Sequence, residues 1–140
     1  MHLQYDDEYI SDILTETRTI ALVGASPKPH RDSHRIMAYL QARGYKVIPV
    51  NPCIAGELLL GQHVYSKLED IRVPVDMVDI FRNSQSAGEV CDAAIRIKAK
   101  SIWMQIGVIN GEAARRASNY GLKVVMDRCP KMEIPRLGLD

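Results

Sequence analysis

Five short runs of apolar residues, spaced along the chain and separated by helix-like stretches, constrain the fold of this sequence most strongly. The first run, Thr19-Ile20-Ala21-Leu22-Val23, is apolar at nearly every position instead of alternating with polar residues. Such a run is typical of a strand that is buried on both faces of a parallel sheet. The other four runs span residues 46–50, 75–80, 101–104 and 122–126. A five-stranded parallel sheet with both faces covered is therefore predicted.

The stretches between these runs repeat apolar residues at the helical period. Ile36, Met37 and Leu40, for example, share one face of a helix, and Asn110 is a residue type that caps helix N-termini. The predicted helices span residues 33–43, 84–97 and 110–120, with a short one at 66–70 and another at about 6–16. Strands and helices that alternate in this way predict an α/β fold, a Rossmann-like open parallel five-stranded sheet with helices on both faces.

Length and charge exclude several other classes of protein. A chain of 140 residues is the size of one domain, so we expect a single domain over residues 1–140. The 18 basic and 17 acidic residues nearly balance and form no basic stripe, which argues against a nucleic-acid partner. The apolar runs are too short to span a membrane, and the acidic N-terminal segment does not resemble a signal peptide. We therefore expect a cytoplasmic protein.

The cysteines and histidines do not have the spacing of metal sites. Cys53, Cys91 and Cys129 are far apart and odd in number, so we expect reduced thiols instead of disulfides. The histidines lack an HxxxH or HExxH spacing, so no metal site is predicted. They are His2, His30, His34 and His63.

Ligands of an open parallel sheet bind beyond the carboxyl ends of its strands, where the strand order reverses. The segments that follow the predicted strands are small or polar, as binding loops on a rigid scaffold often are. These segments are residues 24–33, 51–52, 81–83, 105–110 and 127–130.

The loop after the first strand, Gly24-Ala25-Ser26, has the composition of a phosphate-binding turn. Glycine allows close backbone approach, small neighbours would leave N–H groups free to face an anion, and the next helix N-terminus adds partial positive charge. Lys28 and Arg31 supply further charge. We favour phosphate binding over a purely structural tight turn. A bulky residue at position 24 is expected to abolish binding while the domain stays folded.

The same region departs from the pattern of NAD-binding proteins. The GxGxxG fingerprint needs glycine where this chain has Ser26 and Pro29. NAD binding also requires an acidic residue after the second strand, for the adenosine ribose, and this chain has Asn51 and Pro52 there. A carboxylate would repel a ribose 3′-phosphate, whereas an uncharged Asn would not. NAD is therefore disfavoured, and NADP stays open on these residues alone.

Five segments together resemble the bacterial CoA-binding protein family, from about Thr19 to Leu139. The segments are TIALVGAS, GYKVIPVNP, VDMVDIFRNS, WMQIGVIN and VVMDRCPKMEIPRLGL, in that order. Members of the family are stand-alone domains similar to the CoA-binding N-terminal domain of the succinyl-CoA synthetase α subunit. The resemblance implies that the ligand is coenzyme A or an acyl-CoA.

The resemblance also implies roles for residues at the phosphate end of the ligand. The Gly24-Ala25-Ser26 loop would carry the pyrophosphate, and Ser33 and Arg35 would lie near the phosphates. The family often has proline and an aromatic residue where this chain has Asp32 and His34. Asp32 would either oppose the phosphates or pair with a neighbouring arginine, and His34 would replace aromatic packing or add charge when protonated.

The remaining implied contacts follow the later strands. Asn51 and Pro52 would border the adenine and ribose, Phe81 and Arg82 would flank the ligand, and Gln105, Ile106, Gly107 and Val108 would line the path of the pantetheine arm.

Residues that could support catalysis are few. Cys129 follows Arg128, which would favour a thiolate, and a nearby CoA thiol would then permit a mixed disulfide. The alternative is that Cys129 is a small packing residue. Asp79 and Asp127 are expected to accept hydrogen bonds from loop backbone, and Trp103 is expected to pack in the core.

The sequence therefore predicts a non-enzymatic CoA-binding protein, acting as a carrier, a sensor or a partner of another protein or of a second copy. The second domain that carries the phosphorylated histidine of the synthetase is not expected, so neither is its ligase reaction. One alternative is a small NADP-dependent enzyme or a CoA-thiol enzyme that uses Cys129. Another is a regulatory domain that has lost its ligand because of Asp32.

Overall fold

The computed structural model describes residues 4–140, and within them the chain has a Rossmann-like α/β fold. Its strands are β1 (Thr19–Val23), β2 (Lys46–Val50), β3 (Leu58–Leu59), β4 (Gln62–His63), β5 (Met77–Ile80), β6 (Ser101–Met104) and β7 (Lys123–Val125). Among the described residues, five strands form a parallel sheet in the order β2-β1-β5-β6-β7, which confirms the predicted sheet. The short strands β3 and β4 pair separately as an antiparallel hairpin.

Helices cover both faces of the sheet, as predicted. They are α1 (Asp7–Glu16), α2 (Asp32–Ala42), α3 (Ser84–Arg96), α4 (Gly111–Asn119) and α5 (Pro130–Arg136). One apolar cluster lies under α3 and α4, and the other lies under α1, α2 and α5. The segment predicted as a short helix at residues 66–70 forms only a 3₁₀ turn, Leu68–Asp70. Neither α5 nor the hairpin was predicted.

The central strand β1 contributes to both apolar clusters. Ile20 and Leu22 pack in the cluster under α1, α2 and α5, whereas Ala21 and Val23 pack in the cluster under α3 and α4. Successive side chains of a strand point to opposite faces, so a strand buried on both faces must be apolar at every position. This requirement is the physical reason for the apolar runs in the sequence.

Two tyrosines at the start of the chain join α1 and the segment before it to the outer strand of the sheet. The Tyr9 hydroxyl accepts a hydrogen bond from the Val124 N–H at 2.8 Å and donates to the Val124 carbonyl oxygen at 3.1 Å. The Tyr5 hydroxyl accepts from the Met126 N–H at 2.8 Å. Burial raises the pKa of both phenols, so they stay protonated at neutral pH.

The strand order reverses between β1 and β5, and the two strands end in close contact there. A Cβ atom added to Gly24, after β1, would lie 2.3 Å from the carbonyl oxygen of Phe81, after β5. Gly24 also has a φ of 93°, in the left-handed region that favours glycine. This contact argues against the expectation that a bulky residue at position 24 leaves the domain folded, because any side chain there would collide with the backbone that follows β5.

The core also contains a carboxyl group without a partner. Asp79, in β5, is fully buried, and neither of its oxygens has a hydrogen-bond partner within residues 4–140. The prediction that Asp79 accepts hydrogen bonds from loop backbone is therefore wrong. Burial raises the pKa of Asp79 from its ordinary value of 3.8 to about 8, so this side chain is mostly an uncharged acid at neutral pH.

Replacing Gly24 with alanine is expected to lower the free energy of unfolding by roughly 2–5 kcal/mol, because left-handed strain adds to overpacking. Gly44→Ala is the matched control. Gly44 has a φ of 96°, but no atom lies within 4 Å of an added Cβ, so its loss should be about 1–2 kcal/mol. Urea denaturation measures both losses. Equal losses would show that the contact with Phe81 does not constrain position 24.

The buried carboxyl group predicts a pH dependence of stability. Between about pH 4 and pH 8 the folded state binds one proton more than the unfolded state, so the free energy of unfolding falls as pH rises. The fall should be about 1.4 kcal/mol per pH unit inside this window. Asp79→Asn cannot ionise and should lack this contribution. Urea denaturation at pH 5, 6 and 7 gives the slope of the free energy of unfolding against pH for the wild type and for Asp79→Asn. Identical slopes would contradict the prediction.

Candidate functional site

A cleft of about 460 Å³ lies at the carboxyl edge of the sheet, beside the reversal between β1 and β5. Eight of the predicted site residues line it: Gly24, Ala25, Ser26, Lys28, Arg31, Ser33, Asn51 and Phe81. His30 and Asp32 line it as well, although neither was predicted as a ligand contact. His30 lies in the loop before α2 and Asp32 is the first residue of α2, and their place in the segment from 24 to 33 is the signal that would have included them.

The N–H groups of Gly24 and Ala25 do not face the cleft. Both are directed at the carbonyl oxygen of Val50, at N···O distances of 3.0 and 3.4 Å, and so tie the loop to the end of β2. The prediction that these groups are free to bind an anion is therefore wrong. The N–H of Ser26 has no acceptor among residues 4–140, and its hydroxyl oxygen accepts from the Lys28 N–H at 3.1 Å. Ser26 is the backbone donor that this loop leaves available.

The N-terminus of α2 adds further unpaired donors to the cleft. Its N-cap residue, Arg31, makes no side-chain cap, and the N–H groups of Asp32 and Ser33 have no acceptor in the described part of the chain. By contrast, the side chains of Asn83 and Asn110 cap α3 and α4. Open N–H groups at the positive end of a helix dipole bind anions. An anion in the cleft would therefore accept hydrogen bonds from the unpaired N–H groups at the start of α2.

The charges around the cleft are positive on balance. Lys28 and Arg31 are exposed and form no ion pair within residues 4–140. Asp32 forms an ion pair with Arg35, which also donates a hydrogen bond to the carbonyl oxygen of His30. Arg35 thus neutralises Asp32 and does not itself line the cleft. The charge expected to oppose a phosphate is balanced within the first turn of α2.

Two other predicted site residues hold the loop in place. The Nδ1 atom of His34 lies 2.9 Å from the carbonyl oxygen of Ser26. The Asn51 side chain donates to the carbonyl oxygen of Ala25 at 2.8 Å and accepts from the Cys53 N–H at 2.9 Å. The Asn51 amide thus bonds to backbone at both ends, which fixes its orientation at the edge of the cleft.

The other residues predicted to contact a ligand lie outside the cleft. Pro52 is exposed in a 3₁₀ turn, Pro52–Ile54, and Arg82 is exposed after β5.

In the loop after β6, Gly107 donates its N–H to the Asp127 carboxylate at 2.8 Å, which confirms the predicted role of Asp127 in holding loop backbone. Ile106 is exposed, whereas Val108 is buried in the cluster under α3 and α4. Val108 is therefore a core residue. Gln105 is buried at the end of β6.

The cysteine proposed for thiol chemistry is inaccessible. Cys129 is 6% exposed, occupies the N-cap position of α5 and packs in the apolar cluster beneath it. Reactive cysteines usually lie in partly exposed, electropositive surroundings. The burial of Cys129 favours the packing role. Trp103 is fully buried, as predicted, and its indole N–H donates to the Arg128 carbonyl oxygen at 2.8 Å.

The described residues contain no group of three or more His, Cys, Asp or Glu side chains that could hold a metal ion. His2, one of the histidines considered in the sequence, lies outside the described residues. None of the helices within residues 4–140 is long and apolar enough to cross a bilayer.

A larger cavity, of about 670 Å³, lies at the opposite, amino edge of the sheet. Thr17, Ala99 and Leu122 are among the residues that line it. Ligands of open parallel sheets bind at the carboxyl edge, because the loops and helix N-termini meet there. The smaller cleft lies at the carboxyl edge and has backbone donors without an acceptor among residues 4–140, so it is the better candidate site despite its smaller volume.

Comparisons with known proteins give this site a family context. A protein of Bacillus subtilis (strain 168), YneT, is 37% identical over 123 residues, which is 88% of this chain and 90% of YneT. The solved structure of a hypothetical protein from Pyrococcus horikoshii OT3 is 42% identical, with a TM-score of 0.90. That match covers 95% of this chain and 92% of the other.

A larger protein is similar over part of its length. The apo structure of the dinucleotide-forming acetyl-coenzyme A synthetase 1 of Ca. Korarchaeum cryptofilum is 30% identical, with a TM-score of 0.65, over 76% of this chain and 25% of that chain. The family model described as a CoA binding domain matches residues 18–135, and it confirms the resemblance that the sequence motifs indicated. The chain belongs to the family of proteins that contain this CoA-binding domain.

Proposed function

We propose that this protein binds coenzyme A, or an acyl-CoA, without carrying out a reaction on it, and that the pyrophosphate lies at the N-terminus of α2. The observation that carries this proposal is the uncapped start of α2 beside two cations that have no ion-pair partner within residues 4–140, all in one cleft. A phosphate group requires N–H donors and positive charge, and the cleft supplies both. The family match supports coenzyme A as the source of the phosphates.

The phosphates would be shared among a small set of groups. The N–H groups of Ser26, Asp32 and Ser33 would donate hydrogen bonds, and Lys28 and Arg31 would supply charge. Coenzyme A carries a 3′-phosphate in addition to its pyrophosphate, so it needs more positive charge than NAD does. The guanidinium of Arg31 can bind a phosphate through two parallel hydrogen bonds, which the ammonium of Lys28 cannot.

The end of β2 favours coenzyme A over NAD. Asn51 stands where NAD-binding proteins place an acidic residue, and its amide is occupied by Ala25 and Cys53. No carboxylate is therefore offered to a ribose diol at this position. A 3′-phosphate on the ribose would meet no negative charge from Asn51.

The groups in the cleft support binding better than catalysis. Ser26 and Ser33 are the hydroxyl groups that line it, and neither has a histidine or carboxylate partner among residues 4–140. An activated serine requires such a base. We therefore propose a carrier or sensor of coenzyme A in the cytoplasm that acts through a protein partner or a second copy of itself.

Coenzyme A is expected to raise the Tm of the protein, while NAD and NADP at the same concentration leave it unchanged. At a concentration about 100 times Kd, binding stabilises the folded state by about 2.7 kcal/mol. For a chain of this size the corresponding shift is roughly 8 °C. Differential scanning fluorimetry with each ligand measures the shift. An equal or larger shift with NADP would contradict the proposal.

A matched pair of variants locates the ligand. Arg31→Gln should raise the Kd for coenzyme A about tenfold or more, because a hydrogen bond to a charged group contributes about 1.5–3 kcal/mol. Arg115→Gln changes an exposed arginine on α4 in the same way and should leave Kd unchanged. Isothermal titration calorimetry gives both values. Equal effects of the two substitutions would place the ligand elsewhere.

The buried thiols are expected not to react. In a Cys53→Ser background, which removes the exposed cysteine, incubation with oxidised coenzyme A should leave the mass of the chain unchanged, because Cys91 and Cys129 are buried. Intact mass spectrometry measures the result. A mass increase by one CoA moiety that a further Cys129→Ser substitution removes would support thiol chemistry and contradict the proposed passive role.

A further inference from the structure

Two neighbouring polar side chains in the sheet are buried without a hydrogen-bond partner. Among residues 4–140, both carboxylate oxygens of Asp79 and the Oε1 atom of Gln105 are in this state. Asp79 is fully buried and Gln105 is 7% exposed. Buried polar atoms in proteins are nearly always paired, so two such groups close together indicate a function for them.

The strand register places these two side chains on one face of the sheet. Asp79 in β5 pairs with Trp103 in β6, and Gln105 follows two residues later, toward the carboxyl edge. The Gln105 N–H continues the ladder to the Ile80 carbonyl oxygen at 3.2 Å, so its side chain leaves the sheet on the same face as Trp103 and Asp79. Gln105 therefore lies between the buried carboxyl group and the loops at the carboxyl edge.

The Gln105 amide has a buried end and an accessible end. Its Oε1 atom is buried, whereas Nε2 reaches solvent and forms no hydrogen bond in the described part of the chain. The two orientations of an amide have nearly the same shape, so the partner at the buried end decides between them. The O–H of a carboxylic acid there donates to Oε1 and directs the NH₂ group outward. A carboxylate would accept a hydrogen bond and favour the reverse.

We infer that Asp79 is a positioning residue for the ligand, because it holds the Gln105 amide with its NH₂ group outward. The Asp79 O–H donates to Gln105 Oε1 once the two side chains reorient, or through one buried water. The outward NH₂ group then donates to a carbonyl oxygen of the pantetheine arm. This inference rests on the proposed function, and it assigns one donor to the arm of coenzyme A.

The surroundings of Asp79 keep its proton in place. Its neighbours on the adjacent strands are Leu22 and Trp103, neither of which ionises. On the same face, Glu133 of α5 pairs with Arg136. The ionisable members of the apolar cluster there are the thiol of Cys129 and the phenols of Tyr5, Tyr9, Tyr39 and Tyr45. Burial, with no contribution from a neighbouring charge, raises the pKa of Asp79 to about 8.

The first test measures the affinity for coenzyme A at pH 7 and at pH 9.5 by calorimetry. In the wild type, Kd should rise roughly tenfold, since loss of the proton reverses the amide and removes one hydrogen bond. Asp79→Asn donates an N–H to Oε1 at either pH and should keep the affinity of the wild type at pH 7. The ratio of the Kd values of the two proteins at each pH cancels the effect of the ionisation of coenzyme A itself. The same pH dependence in both would overturn the inference.

Trp103 provides a second readout, because it is the only tryptophan in the chain and lies beside Asp79 in the ladder. Its fluorescence should change with a midpoint near pH 8 in the wild type and show no such transition in Asp79→Asn. If deprotonation of Asp79 weakens the binding of coenzyme A tenfold, saturating coenzyme A should raise this midpoint by about one pH unit, because proton binding and ligand binding are linked. A midpoint that coenzyme A does not move would overturn the inference.

The third test separates this inference from the proposed function. Adenosine 3′,5′-bisphosphate carries phosphates of coenzyme A but has no pantetheine arm. Gln105→Met should weaken binding of coenzyme A roughly tenfold and leave binding of the bisphosphate unchanged. If the wild type binds neither ligand, the proposed function fails. If the wild type binds coenzyme A and Gln105→Met binds it equally well, only the present inference fails. Circular dichroism checks that each variant is folded.

Discussion

The contact between the ends of β1 and β5 is the constraint on which the rest of the site depends. The Phe81 N–H donates to the Val23 carbonyl oxygen at 2.8 Å, and the Gly24 N–H donates to the Val50 carbonyl oxygen at 3.0 Å. The ends of three neighbouring strands are thereby joined through backbone alone, with no space for a Cβ at position 24. Because the first residue of the loop is held against the sheet in this way, the path from β1 to the start of α2 begins at a fixed point beside the cleft.

The polar side chains near the cleft fall into two groups with different tasks. His34, Asn51 and Arg35 bond to backbone or to a neighbouring side chain, and so they fix the shape of the segment from 24 to 35. The side chains of Lys28 and Arg31 form no ion pair with another residue of the described range 4–140, and they supply the charge. A site that is rigid before the ligand arrives loses less conformational entropy on binding. Of the two residues that depart from the family pattern, His34 belongs to the supporting group, and Asp32 forms an ion pair with Arg35.

Local sequence patterns predicted the sheet and the three central helices, since these follow from burial on both faces and from helical periodicity. They missed α5, which contains Pro135, although Pro130 at its first position was a usable signal. The hairpin has only two residues per strand, too few for a pattern. The directions of the Gly24 and Ala25 N–H groups depend on Val50, which is distant in the chain, so loop composition did not reveal them. The presence of Asp79 in the sequence likewise did not reveal that its carboxyl group lacks a hydrogen-bond partner among residues 4–140, because its surroundings come from residues distant in the chain.

The tyrosines that fasten the N-terminal segment to β7 also determine how this protein can meet other chains. The outward N–H and carbonyl groups of an edge strand are the positions at which a strand of another molecule would add. In β7, the Tyr9 hydroxyl occupies both such groups of Val124, and the Tyr5 hydroxyl occupies the N–H of Met126 just beyond the strand. Extension of the sheet into a neighbouring molecule is thereby blocked at this edge. Any assembly at this edge must therefore form through side-chain contacts. Specific association can thus occur here without aggregation by strand addition.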